Sequence, residues 1–119
     1  MNRYCYIFSA LLLVFSSCHV FNKLTSTTTI QPMDSFILGN NEHRSFKVEL
    51  TNLSRHVLEL YQVPLSGGKH SAQNVNPMQR AIVNVDKNTA MYITNVSVDT
   101  CKVKLLVTGD TGLSMGYKN

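Results

Sequence analysis

Three cysteines, four histidines and seven carboxylates are the residues of this chain that could serve as nucleophiles, bases or metal ligands. Their spacing discourages each use. His19, His43, His56 and His70 stand far apart, and none falls within four residues of another or of Cys101. A metal centre needs three or four convergent ligands, so these histidines read as solvated loop residues. Cys101 could act as a nucleophile beside a base and an oxyanion hole. It runs in phase with Val103 and Leu105, which predicts a small buried side chain instead; the alternative, a dimer-forming disulfide, requires exposure. Gly67-Gly68 lacks the Lys-Ser/Thr that follows in a phosphate loop. Nothing in the pattern calls for a cofactor.

Asp110-Thr111-Gly112 resembles the catalytic triplet of aspartic proteases, in which two such carboxylates share a proton. Only seven residues follow Gly112 here, and Gly109 precedes the triplet. Turn chemistry is the simpler reading, with a hairpin returning into Leu113 to Tyr117. Asn52-Leu53-Ser54 and Asn95-Val96-Ser97 match the glycosylation acceptor pattern, which would matter for a eukaryotic secreted chain. The remaining candidates are aromatic. Tyr61, Tyr92 and Tyr117 could form a ligand patch on one sheet, or be core residues whose hydroxyls reach solvent.

The elements that must position these residues are strands. Phe46, Val48 and Leu50 alternate with Lys47, Glu49 and Thr51, the period-two signal of a half-buried strand. Similar runs cover Val57–Val63, Arg80–Val85, Thr89–Val96 and Cys101–Thr108, with a weaker one near Ser35–Leu38. Lys69–Met78 reads as a loop with room for a short edge strand, because Pro77 interrupts it. No segment keeps a helical period, and the connections are too short for parallel crossovers. The expected fold is a single antiparallel β-sandwich of about seven short strands. Strand-Asn-Leu-Ser-strand at Asn52 and strand-Asn-Val-Ser at Asn95 make it similar in pattern to immunoglobulin-like sandwiches, a likeness that implies no functional residue. The formal charge of +4 is spread without a block of like sign, so a nucleic-acid partner, which needs a clustered basic stripe, is not expected.

The first residues are of another kind. Arg3 is followed by an uncharged apolar run from Tyr4 to Phe15, too short for a membrane-spanning helix and suited to the core of a secretory signal. Phe15-Ser16-Ser17-Cys18 resembles the lipobox of bacterial lipoproteins. That resemblance implies lipid transfer to Cys18, cleavage before it, and a membrane-held mature chain, since two acyl chains anchor stably where one does not. Cys5 would be discarded, leaving Cys101 without an intramolecular partner.

The expected organisation is a signal peptide over 1–17, a lipidated cysteine and flexible spacer over 18–33, and the β-sandwich over 34–119. The expected role is a non-enzymatic binding or accessory module of the bacterial envelope, periplasm-facing, with an envelope protein or glycan as partner. A structural subunit that joins a neighbour by strand addition is the alternative, and a hydrolase comes third.

Overall fold

The computed structural model describes residues 23–119; the expected signal segment, Cys5, Cys18 and His19 lie outside them. Nine strands follow in order: β1 Lys23–Ile30, β2 Ser35–Leu38, β3 Phe46–Asn52, β4 Leu58–Pro64, β5 His70–Val75, β6 Arg80–Val85, β7 Thr89–Asn95, β8 Cys101–Gly109 and β9 Met115–Tyr117. They form two antiparallel sheets, one ordered β1-β8-β3-β6 and the other β5-β4-β7-β2-β9. The all-β sandwich expected from the alternating pattern is what forms. Its inward rows, such as Phe46-Val48-Leu50 on β3 and Val103-Leu105-Val107 on β8, are buried. Each large apolar side chain taken out of water contributes about 1.5–3 kcal/mol. The buried core residues run from Ile30 to Val107.

The register reveals how the chain is wound. Lys23 faces Thr108, Ser35 faces Thr94, Phe46 faces Val85 and Leu58 faces Val75. The two arms therefore run alongside each other as one long hairpin, bent at Leu65–Lys69 and rolled into two layers. Gly67 and Gly68 at that bend have φ of 99° and 93°, a conformation glycine adopts without penalty. Pairing β3 with β6 in one sheet and β4 with β7 in the other is shared with immunoglobulin-like sandwiches. Here β8 and β2 take the flanking places, which gives the two-Greek-key order of a jelly roll.

The two halves of the roll repeat one another. Ile30–Leu38 (IQPMDSFIL) corresponds to Val75–Val83 (VNPMQRAIV), and Phe46–Leu60 corresponds to Thr89–Val103. Gln31-Pro32-Met33-Asp34 and Asn76-Pro77-Met78-Gln79 are the same turn, each closed by a main-chain bond from its fourth residue to its first (3.2 and 3.0 Å). Met33 and Met78 both sit at positive φ, 61° and 63°, in the place where a type II turn demands it.

Two expectations change. The spacer over 18–33 ends early, because Lys23–Ile30 is β1 and pairs with β8 along its whole length. Threonine is β-branched and favours strands; Thr28 and Ile30 bury themselves while Thr25 and Thr27 face solvent. Gly109 does not start a hairpin, since β9 crosses to the second sheet and pairs with β2. The described residues hold nine strands, close to the number expected: β5 is the short edge strand for which Lys69–Met78 had room, and β1 is a second polar edge.

Candidate functional site

Of the three tyrosines proposed from sequence, the structure brings two together. Tyr61 on β4 and Tyr92 on β7 are register partners, and their rings stack at 4.9 Å with 16° between planes. The Lys69 ammonium lies 4.2 Å from the centre of the Tyr61 ring, a cation–π contact. Tyr61 is thus enclosed on both faces, by a ring and by a cation, and the pair reads as a stiffening contact across β4 and β7. Tyr117 is elsewhere. It is in register with Phe36, meets it edge-on at 5.5 Å, and donates its hydroxyl to the Thr29 carbonyl at 2.7 Å. That bond ties β9 of one sheet to β1 of the other across the open side of the sandwich. A single face shared by all three tyrosines does not form.

The histidines divide similarly. His43, expected in solvent, is 9% exposed. Its ring packs edge-on against Phe46 and lies within hydrogen-bonding distance of the Arg44 and Thr89 carbonyls (2.5 and 2.8 Å). Gly39 lets the chain pass close to that ring because it has no Cβ, which would lie 3.1 Å from His43 Nε2. His70 is exposed. His56 pairs with Asp99 at 2.8 Å, and these two occupy equivalent places in the two halves. With Ser54, Arg55, Thr100 and Lys102 they line an open groove at the end of the sandwich. Both partners reach solvent, so the pair contributes little, about 0–1 kcal/mol.

Other sequence candidates close. Cys101 is fully buried, with Ser97 Oγ at 3.8 Å and the Asp99 carbonyl at 3.9 Å as its polar neighbours; an intermolecular disulfide there would require unfolding. Asn52 and Asn95 are fully buried, and their amide groups are consumed by main-chain carbonyls, so neither is open to a glycan in the folded state. Asp110 clamps a loop: its carboxylate accepts the Arg44 N–H at 2.7 Å and the Gly112 N–H at 2.8 Å. Those two bonds hold its pKa below the ordinary 3.8. The turn reading of Asp-Thr-Gly holds, without the hairpin.

What linear reading missed is a surface. The outward row of the first sheet runs Lys23, Thr25, Thr27 and Thr29 on β1; Lys102, Lys104, Leu106 and Thr108 on β8; Lys47, Glu49 and Thr51 on β3; Arg80, Ile82 and Asn84 on β6. Lys23, Lys47, Arg80, Lys102 and Lys104 are all exposed. Arg3 aside, the chain has ten Lys and Arg against seven acids. Five of the ten, with Glu49 as sole acid, stand on this one face, leaving five cations against six acids everywhere else. The face holds more than the net charge of the described residues. Among them, none of the five cations is within ion-pair distance of a carboxylate. In sequence these residues are spread from position 23 to 104, and only register collects them.

Taken together, fold and surface define a jelly-roll β-sandwich with one open, cationic, threonine-rich face. No protein-family model matches the chain, and no curated protein matches it in sequence.

Proposed function

We propose that this protein is a lipid-anchored, non-enzymatic binding module of the bacterial cell envelope, held by lipid on Cys18 and facing the periplasm, with the outer face of its first sheet as the surface for an anionic partner. The observation that carries the reading is the set of five cations against one acid on a rigid, open sheet. A lysine without a carboxylate partner keeps its charge available to a ligand, and a surface of one sign raises the local concentration of opposite charge. Four strands fix the spacing of those charges in advance, so little order has to be created on binding.

Two measurements test it. Intact mass and the N-terminal peptide of the protein from a membrane fraction should show a chain beginning at a lipid-modified Cys18. An unmodified chain cut elsewhere removes the anchor. On a polyanion matrix, Lys47→Glu/Lys104→Glu should elute at clearly lower salt than Lys69→Glu/Lys118→Glu, although both pairs change net charge equally. Equal elution removes the face.

A second reading has one observation in its favour. β1 is a sheet edge of eight residues, and its only charge is Lys23. Natural edges are usually blunted by charge, so β1 is the place where a neighbour's strand would add. A cysteine placed at Thr27 that crosslinks a defined envelope neighbour would favour this structural-subunit role.

A further inference from the structure

We propose that the cationic face lies flat on the anionic phospholipid headgroups of the same leaflet that holds the lipid on Cys18. This rests on the basic-face reading above and names its partner. Three features favour a bilayer surface over a thread-like anionic polymer.

The cations are spread in two dimensions. Lys23 and Lys47 flank Thr108 in one cross-strand row, Lys104 and Arg80 flank Thr51 in another, and Lys102 stands beside Thr29. Strands lie about 4.8 Å apart, so the charges cover an area and do not line a channel. A polymer would be better served by a groove, and this face is a sheet.

The middle row, Thr25-Leu106-Glu49-Ile82, places apolar side chains among the cations. Ile82 is 52% exposed. Ile82 stands across from Glu49 with Arg80 two residues away on the same strand, and Leu106 has Lys104 two residues away on β8. Apolar side chains so interspersed can enter the headgroup zone while the cations of the adjoining rows meet phosphates, the pattern of interfacial binding.

The tether favours the same orientation. Lys23 is a corner of the face and only four residues separate it from Cys18. Even fully extended, that link spans about 18 Å. A lipid at Cys18 therefore holds this edge of the sheet at the bilayer. The acyl chains and the face act as two linked contacts, and the second becomes effectively intramolecular.

The test uses the chain from His19 onward, which lacks the acylated cysteine and keeps all nine described strands, so that the face is measured alone. Vesicles of phosphatidylglycerol mixed with phosphatidylcholine should bind it, pure phosphatidylcholine should bind at least tenfold more weakly, and added salt should abolish the difference. Neutralising Lys47 and Lys104 with glutamine should weaken binding about fivefold for each cation removed, while Lys87→Gln/Lys118→Gln, both exposed and off the face, should leave it unchanged. Circular dichroism and melting curves of both variants should match the parent, which separates lost binding from lost fold. An environment-sensitive dye on Ile82→Cys should shift to the blue on the anionic vesicles, and one on Val98→Cys, at the end of the sandwich, should not. Face-dependent retention on the polyanion matrix without vesicle binding would overturn the bilayer partner, in favour of an anionic glycan, and leave the basic-face reading standing. Equal losses from both variant pairs would overturn both. A blue shift at Val98 alone would put the bilayer contact on the loops and overturn the flat orientation.

Discussion

The turns at Asn52 and Asn95 are built alike, bond for bond. In each, the asparagine amide donates at 2.7 Å to the carbonyl four residues on. The serine two residues on donates its N–H at 2.9 Å and its hydroxyl at 2.7 Å to the asparagine side chain. A further N–H returns to that serine hydroxyl at 3.2 Å. Around this shared frame the residues differ freely: Arg55 answers Val98, His56 answers Asp99 and Glu59 answers Lys102. The frame lies where the two sheets turn over and every buried polar group must be satisfied. The positions that vary face solvent. Structure is thus fixed by a few inward polar residues, and the outward ones are left to set charge.

The largest expected effect breaks the frame. Asn95→Ala removes donors to the Ile30, Gln31 and Asp99 carbonyls, and Asn52→Ala removes those to His56 and Val75. Each buried group left unpaired costs about 1–3 kcal/mol. The amide has two N–H groups, so Ile30 and Gln31 share one of the Asn95 donors, and chemical denaturation should place both variants clearly and similarly below the parent; an Asn95→Ala protein as stable as the parent would break the account of the frame. Next come the serines. Ser54→Ala and Ser97→Ala should each cost about 1 kcal/mol and, if the turns are equivalent, should agree closely in denaturation midpoint. The positive φ of Met33 and Met78 predicts a gain: left-handed geometry costs a side-chain-bearing residue about 1–2 kcal/mol, partly offset by the larger unfolded-state entropy of glycine. Met33→Gly and Met78→Gly should both raise the melting temperature slightly. The smallest effect joins the halves. A double-mutant cycle on His56 and Asp99 should give a coupling below about 1 kcal/mol, falling as salt rises.

Acid sharpens the contrast from outside the repeat. Asp110 has no counterpart in the frame, and its two N–H bonds depress its folded pKa. The stability it contributes is full above its ordinary value and is lost as pH falls through the lower folded one. Asp110→Asn should flatten the acid limb of a pH–stability curve while the frame variants leave its shape intact.

Much of the fold was legible because β3, β4 and β8 alternate cleanly, and alternation fixes which side chains are buried. β1 was not, since its inward positions include Ser26 and Thr28 and polarity hid the strand. β9 was misassigned because three residues after a Gly-rich turn look the same whether they pair with β8 or cross to β2. The aromatic pair followed from cross-strand register, which the sequence constrains only loosely. Tyr117 went the other way because it lies in phase with Phe36, on the inward side. The cationic face was invisible for the same reason: its members are outward residues of four strands, and their adjacency exists only once β8 lies between β1 and β3.

The long hairpin has a kinetic consequence. Among the described residues β1 is laddered to one strand only, β8, so Lys23–Ile30 has no strand to pair with until Cys101–Gly109 is present. Pairings this remote in sequence slow folding, because the loop between them must be closed first. The first strand to be made is among the last to be held, and a chain truncated before Cys101 should leave it permanently unpaired.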